Sequence, residues 1–147
     1  MRKPRVIVFD DDPQILDLLG GIFSSMQFEV VTYAEPLLCS PCEQGGDCAM
    51  PCADLVITDF KMPVRNGIEL LSCQKRRGCA IDLMNKAVTS GDMSPENLVS
   101  SRSVAGIFFQ KPFSLTTIRA WTEECLSRVD LSRPLRGYKE CPASSHA

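Results

Sequence analysis

Apolar positions along the chain alternate between two spacings. Val6-Ile7-Val8-Phe9 is an unbroken apolar run, β-branched at three of its four positions. It predicts a strand buried on both faces. Ile15, Leu16, Leu18, Leu19, Ile22, Phe23 and Met26 then recur at helical spacing. They predict an amphipathic helix over 13–26, with Asp12 as its N-cap and Pro13 at its first position. Phe28 to Tyr33 reads as a second strand and Leu55 to Thr58 as a third, ending at Asp59. Asn66 to Arg77 is helical in pattern. Met84 to Thr89 is a weaker strand, interrupted by Asn85 and Lys86. Ser94-Pro95-Glu96 signals a helix start, with Leu98, Val99 and Val104 behind it. Gly106 to Gln110 reads as a fifth strand, and Ser114 caps a last helix running through Val129.

The order is βα repeated five times, which predicts a parallel sheet with helices on both faces. The fold class is therefore α/β, a flavodoxin-like (βα)5 doubly wound sheet of strand order 2-1-3-4-5. The second helix is the damaged one. Segment 34–53 holds Pro36, Pro41, Gly45, Gly46 and Pro51, which leave room for about one helical turn. Residues 130–147 lack periodicity and read as a disordered tail.

Composition narrows the function. The chain has 147 residues, 44% apolar and 23% charged, with a net charge of −2. That is one globular domain, and not a basic one built to coat nucleic acid. No apolar run approaches a membrane span, and the basic start Met1-Arg2-Lys3-Pro4-Arg5 lacks the apolar core of a signal peptide. A cytoplasmic location is expected, with no membrane contact.

The chemistry gathers at strand ends. Asp10 and Asp11 follow the first strand and Asp59 follows the third. In the predicted order these strands flank the switch point, where such sheets bind ligands. Converging carboxylates repel, and Mg²⁺, which takes carboxylate, water and phosphate oxygens, would resolve that. Lys111 ends the fifth strand and Ser90 the fourth. An ammonium and a hydroxyl are what a phosphoryl group on Asp59 would need for its remaining oxygens. Each feature alone is ordinary, a cap or a turn. Their common placement points to one site.

These motifs resemble the receiver domain of two-component response regulators over residues 5–129. Val6 to Pro13 looks like the first strand and acidic pair. Asp59-Phe60-Lys61-Met62-Pro63-Val64-Arg65-Asn66-Gly67 looks like the phosphoacceptor loop. Ser90-Gly91 looks like the switch hydroxyl and its small neighbour, and Lys111-Pro112-Phe113 like the terminal lysine motif. The resemblance implies that Asp59 accepts a phosphoryl group from a sensor histidine kinase, a phosphotransfer protein or a small phosphodonor. It implies Mg²⁺ at Asp10, Asp11, Asp59 and the Lys61 backbone carbonyl. It implies Lys111 on the phosphoryl group and a cis Lys111–Pro112 bond. Ser90 and Phe108 would act as the switch pair, reshaping the surface of the fourth helix, fifth strand and fifth helix for a downstream protein or a homodimer. Thr89 is the alternative to Ser90, since a one-residue slip reverses which side chain faces the site. Lys61 and Asp92 flank the site and are expected to pair across it. Beyond self-phosphorylation and autodephosphorylation no enzymatic activity is expected, and the residues after 129 are too few for a DNA-binding output.

Eight cysteines are where the chain departs from that family. Without a secretion signal, thiols or metal ligands are expected rather than disulfides. Cys39, Cys42, Cys48 and Cys52 fall within 14 residues, a spacing able to wrap one Zn²⁺ or hold an iron–sulfur cluster. Incidental thiols are the plain reading. Cys79 is a spare neighbour at the same end of the sheet, and Cys73 and Cys125 read as core. Two other functions compete. One is metal or redox sensing on a receiver scaffold. The other is a phosphatase of the haloacid dehalogenase type, which would use Asp10 and Asp12.

Overall fold

The computed structural model describes residues 1–36 and 50–136. Five parallel strands stand in the order β2-β1-β3-β4-β5. They are β1 (Arg5–Phe9), β2 (Glu29–Tyr33), β3 (Leu55–Asp59), β4 (Lys86–Ser90) and β5 (Ile107–Gln110). Among the described residues four helices accompany them: α1 (Pro13–Ser25), α2 (Gly67–Arg76), α3 (Pro95–Ser101) and α4 (Leu115–Leu126). The second helix of the expected (βα)5 order, and with it Cys39, Cys42 and Cys48, lies outside the described residues. No described helix is long and apolar enough to cross a membrane.

Local chemistry sets the boundaries. Asp12 caps α1 by accepting from the Gln14 N–H, and Pro13 opens the helix. Asn66 and Glu69 close a capping box on α2, and Ser94 and Ser114 cap α3 and α4. The fourth strand starts later than its pattern suggests, because Leu83–Asn85 forms a 3₁₀ turn. Asn85 is buried there. Its amide donates to the carbonyls of Asp54 and Cys125, and its oxygen accepts from Arg128 at 2.8 Å. Lys86 is also buried and donates to Gln74 of α2 at 2.8 Å. The two polar residues that interrupt the apolar pattern thus pin β4 to its neighbours. The last helix stops at Leu126 rather than Val129.

Side chains alternate across the sheet. Val6, Val8, Leu55, Ile57, Ala87 and Phe109 pack on one face with Leu19 and Phe23 of α1 and Ile118 and Trp121 of α4. Ile7, Phe9, Val56 and Val88 pack on the other with Leu70 and Leu71 of α2. Both faces of β3 are buried, as expected of a central parallel strand. Residues 130–136 depart from the expected tail. They lie against the N-terminus, with the Arg2 N–H donating to the Leu131 carbonyl and the Arg2 Nε to the Arg133 carbonyl.

One backbone position is strained. The Arg65 N–H donates to the Pro63 carbonyl at 2.8 Å, which makes Val64, at φ 72° and fully exposed, the centre of a γ-turn. A β-branched residue there costs about 1–2 kcal/mol, and no burial offsets it. Val64→Asn is expected to stabilise the protein by about 1 kcal/mol, read as a higher urea midpoint. An unchanged or lower midpoint would show the turn to be unstrained.

Candidate functional site

Alternation along the strands brings the chemistry to one rim. Asp10, Asp59, Thr89 and Lys111 each lie two positions beyond a residue of the face that packs on α1 and α4, namely Val8, Ile57, Ala87 and Phe109. Carboxylate oxygens of Asp10, Asp11 and Asp59 lie within 4.8 Å of one another. Asp10 and Asp59 are buried and Asp11 is exposed. Lys111 reaches across from β5, with its Nζ 3.0 Å from Asp10 Oδ2 and 3.2 Å from Asp59 Oδ1. The Lys111–Pro112 peptide bond is cis, as expected.

The electrostatics follow from that packing. Burial, and then the neighbouring Asp10, push the Asp59 carboxyl above its ordinary range, although Lys111 pulls it down. Burial lowers Lys111, but its contacts with Asp10 and Asp59 outweigh this and hold it above its usual value. One ammonium against three carboxylates leaves a negative pocket of hard oxygen donors. That donor set suits Mg²⁺.

The loop that carries Asp59 into α2 folds back on the strand. The Phe60 N–H donates to the Thr89 carbonyl at 2.8 Å, and the Gly67 N–H to the Phe60 carbonyl at 2.9 Å. A Cβ on Gly67 would sit 2.3 Å from the Asp59 carbonyl oxygen. Only glycine lets α2 begin so close to the site.

The switch hydroxyl has two candidates in different states. Ser90 follows Val88 on the opposite face, and its Oγ bonds to the Asp92 backbone, at 3.0 Å to the carbonyl and 3.1 Å from the N–H. Thr89 pairs in register with Asp59. Its buried Oγ1 has no hydrogen-bond partner, a rare condition inside a protein. Phe108 is half-buried beside Leu98 and Arg102 of the α3 region. Lys61 and Asp92 are exposed, and no ion pair joins them.

The chain matches no protein family model. It is 27% identical over 132 residues to the transcriptional activator protein PfeR of Pseudomonas aeruginosa. The match covers 89% of this chain and 40% of that protein, so the chain spans about two fifths of the relative's length. A CheY-like response regulator receiver domain protein of Methanospirillum hungatei superposes with a TM-score of 0.68 at 26% identity, over 86% of this chain and 96% of that one. The chain has the receiver-domain fold. A receiver domain of a Pseudomonas aeruginosa sensor histidine kinase, with magnesium coordinated in its active site cleft, superposes with a TM-score of 0.69 at 10% identity. That likeness spans 86% of this chain and 99% of the other.

The remaining candidates divide. Asp12 spends its carboxylate on the α1 cap at 2.9 Å from the Gln14 N–H and stands outside the carboxylate cluster, which removes the support for a dehalogenase-type phosphatase. Among the described residues the aspartate trio is the one group of three or more side chains placed to hold a metal ion. Cys52, Cys73 and Cys79 are half-buried against the core that contains Leu70 and Leu71. Cys73 is therefore less buried than expected, with its sulfur 3.2 Å from Arg76. Cys125 is wholly buried, and burial pushes its thiol up to about 12. In the sequence Lys86 and Asn85 read only as interruptions of a strand. The signal was there, in two polar residues next to each other where an apolar pattern should run.

Proposed function

We propose that this receiver domain is a phosphoacceptor in two-component signalling, with Asp59 as the residue phosphorylated. The observation that supports it most is the placement of a buried carboxylate at the switch-point rim, between Asp10 and Lys111. An Asp59 oxygen attacks phosphorus as the donor's bond to that phosphorus breaks, leaving an acyl phosphate. Lys111 offers an ammonium to the new phosphoryl oxygens. Asp10, Asp11, Asp59 and the Lys61 carbonyl would hold Mg²⁺, in keeping with the magnesium in the cleft of the Pseudomonas aeruginosa neighbour. The ion would supply charge neutralisation at the transferred group.

For the switch hydroxyl the observations favour Thr89 over Ser90, because Thr89 faces the Asp59 side of the sheet with an unspent hydroxyl. Phosphorylation draws that hydroxyl onto the phosphoryl group and releases the Phe108 region to rearrange. The donor is a sensor histidine kinase or phosphotransfer protein, and the reader is a protein that meets the α3–β5–α4 surface. The domain comprises residues 1–129, with 34–53 as its cysteine-rich insert. Its chemistry is confined to its own phosphorylation and dephosphorylation.

The test is incubation with ³²P-labelled acetyl phosphate. Wild type should take up base- and hydroxylamine-labile label with Mg²⁺ and none with excess EDTA. Absence of label with Mg²⁺ would overturn the proposal. Thr89→Ala should still be labelled but lose the phosphorylation-dependent change in Trp121 fluorescence, whereas Ser90→Ala should keep it. The reverse outcome would return the role to Ser90.

A further inference from the structure

The end of the sheet opposite the phosphorylation rim carries a second organised structure. Asp54, next to β3, is buried and holds three donors: both terminal nitrogens of Arg2, at 2.7 and 2.8 Å, and the Arg5 N–H at 2.8 Å. Arg5 in turn pairs with Glu29 at 2.6 Å. Each arginine uses part of its planar fork on a carboxylate and another part on the C-terminal segment. Arg2 Nε donates to the Arg133 carbonyl at 2.6 Å, and Arg5 Nη1 to the Arg136 carbonyl at 2.8 Å. The same Arg5 Nη1 donates to the Cys52 carbonyl at 2.8 Å, and the Arg136 N–H donates to the Pro51 carbonyl at 2.9 Å.

Residues 130–136 therefore close on the peptide that ends the cysteine-rich segment. They also roof a cavity of about 200 Å³ lined by Arg2, Asp54, Asn85, Arg128 and Arg133. Their attachment is unlike that of the rest of the fold. None of residues 130–136 is buried, so backbone hydrogen bonds to arginines hold them rather than apolar burial. Segments fastened in this way open well below the free energy of global unfolding.

We propose that residues 130–136 form a latch over the end of the cysteine-rich segment, and that this latch governs solvent access to Cys52. A partner that takes up the C-terminal segment would release the latch and expose this end of the molecule. The phosphorylation rim would stay intact, because β3 separates the two ends by about 17 Å.

The test is the iodoacetamide alkylation rate of each cysteine, followed by mass spectrometry. Three proteins are compared: the full chain, a variant ending at Val129, and the full-length Arg136→Pro variant. Proline at 136 removes the N–H that bonds Pro51, so this variant serves if the shortened chain does not fold. Cys52 should react at least tenfold faster in the shortened chain and at least threefold faster in Arg136→Pro. Cys125 and Cys73 should stay within twofold of the full chain, which shows that the core has not loosened. A Cys52 rate that matches the full chain in every folded variant would overturn the latch. So would a parallel rise at Cys125, because access would then follow general loosening.

Discussion

Asp59→Asn is expected to take up no label from acetyl phosphate under conditions that label the wild type, and to be more stable than the wild type at pH 7. The first effect follows from the proposed chemistry, since an amide oxygen is a poor nucleophile and cannot form the acyl phosphate. The second follows from the environment. Burial and Asp10 raise the Asp59 carboxyl above its ordinary range, so the folded protein binds that proton more tightly than the unfolded chain does. A raised acid penalises the fold at pH values above its folded-state pKa, and the penalty fades as pH falls through that value. Asparagine removes the penalty. The variant's advantage in thermal midpoint should therefore be largest near neutrality and shrink towards pH 4. Loss of stability at pH 7 would mean that the attraction to Lys111, at 3.2 Å, outweighs burial.

Gly67→Ala is the second large effect. Its Cβ would stand 2.3 Å from the Asp59 carbonyl oxygen and 3.0 Å from Thr58 Cγ2. Both neighbours belong to β3, which is buried on both faces and has nowhere to move. The start of α2 must shift instead, against Leu70 and Leu71, which are wholly buried. Overpacking of this kind costs about 3 kcal/mol. The shift also reaches the carboxylate, and a misplacement of about 1 Å costs around a hundredfold in rate. Urea denaturation and the initial rate of labelling would read the two effects. A variant with an unchanged midpoint and rate would show that the loop relaxes around the methyl group.

Much of this architecture was legible in the residues because strong local signals coincide with the tertiary arrangement. Val6 to Phe9 and Leu55 to Ile57 are apolar throughout because both faces of a central parallel strand are covered. Asp12-Pro13 and Ser114 mark helix starts because the caps are local chemistry. β4 was harder to read. Its first residue, Lys86, looks solvent-facing until Gln74 is placed 2.8 Å from its ammonium. Residues 130–136 carry no periodicity, because arginines at the other end of the chain hold them instead of their own apolar faces.

By itself, then, the sequence determined the α/β order and the strand ends that carry Asp10, Asp11, Asp59 and Lys111. These depend on short-range patterns and on where each strand stops. Only the tertiary structure decided which hydroxyl shares a face with Asp59. That depends on the register between β3 and β4, where Asp59 stands opposite Thr89, and a slip of one residue would turn the other side chain inward. The tertiary structure likewise joined Arg2 and Arg5 to residues 131–136, a contact across 131 positions in both side-chain bonds. No local pattern encodes such a contact, because its energy exists only once both ends of the chain have met on the same edge of the sheet.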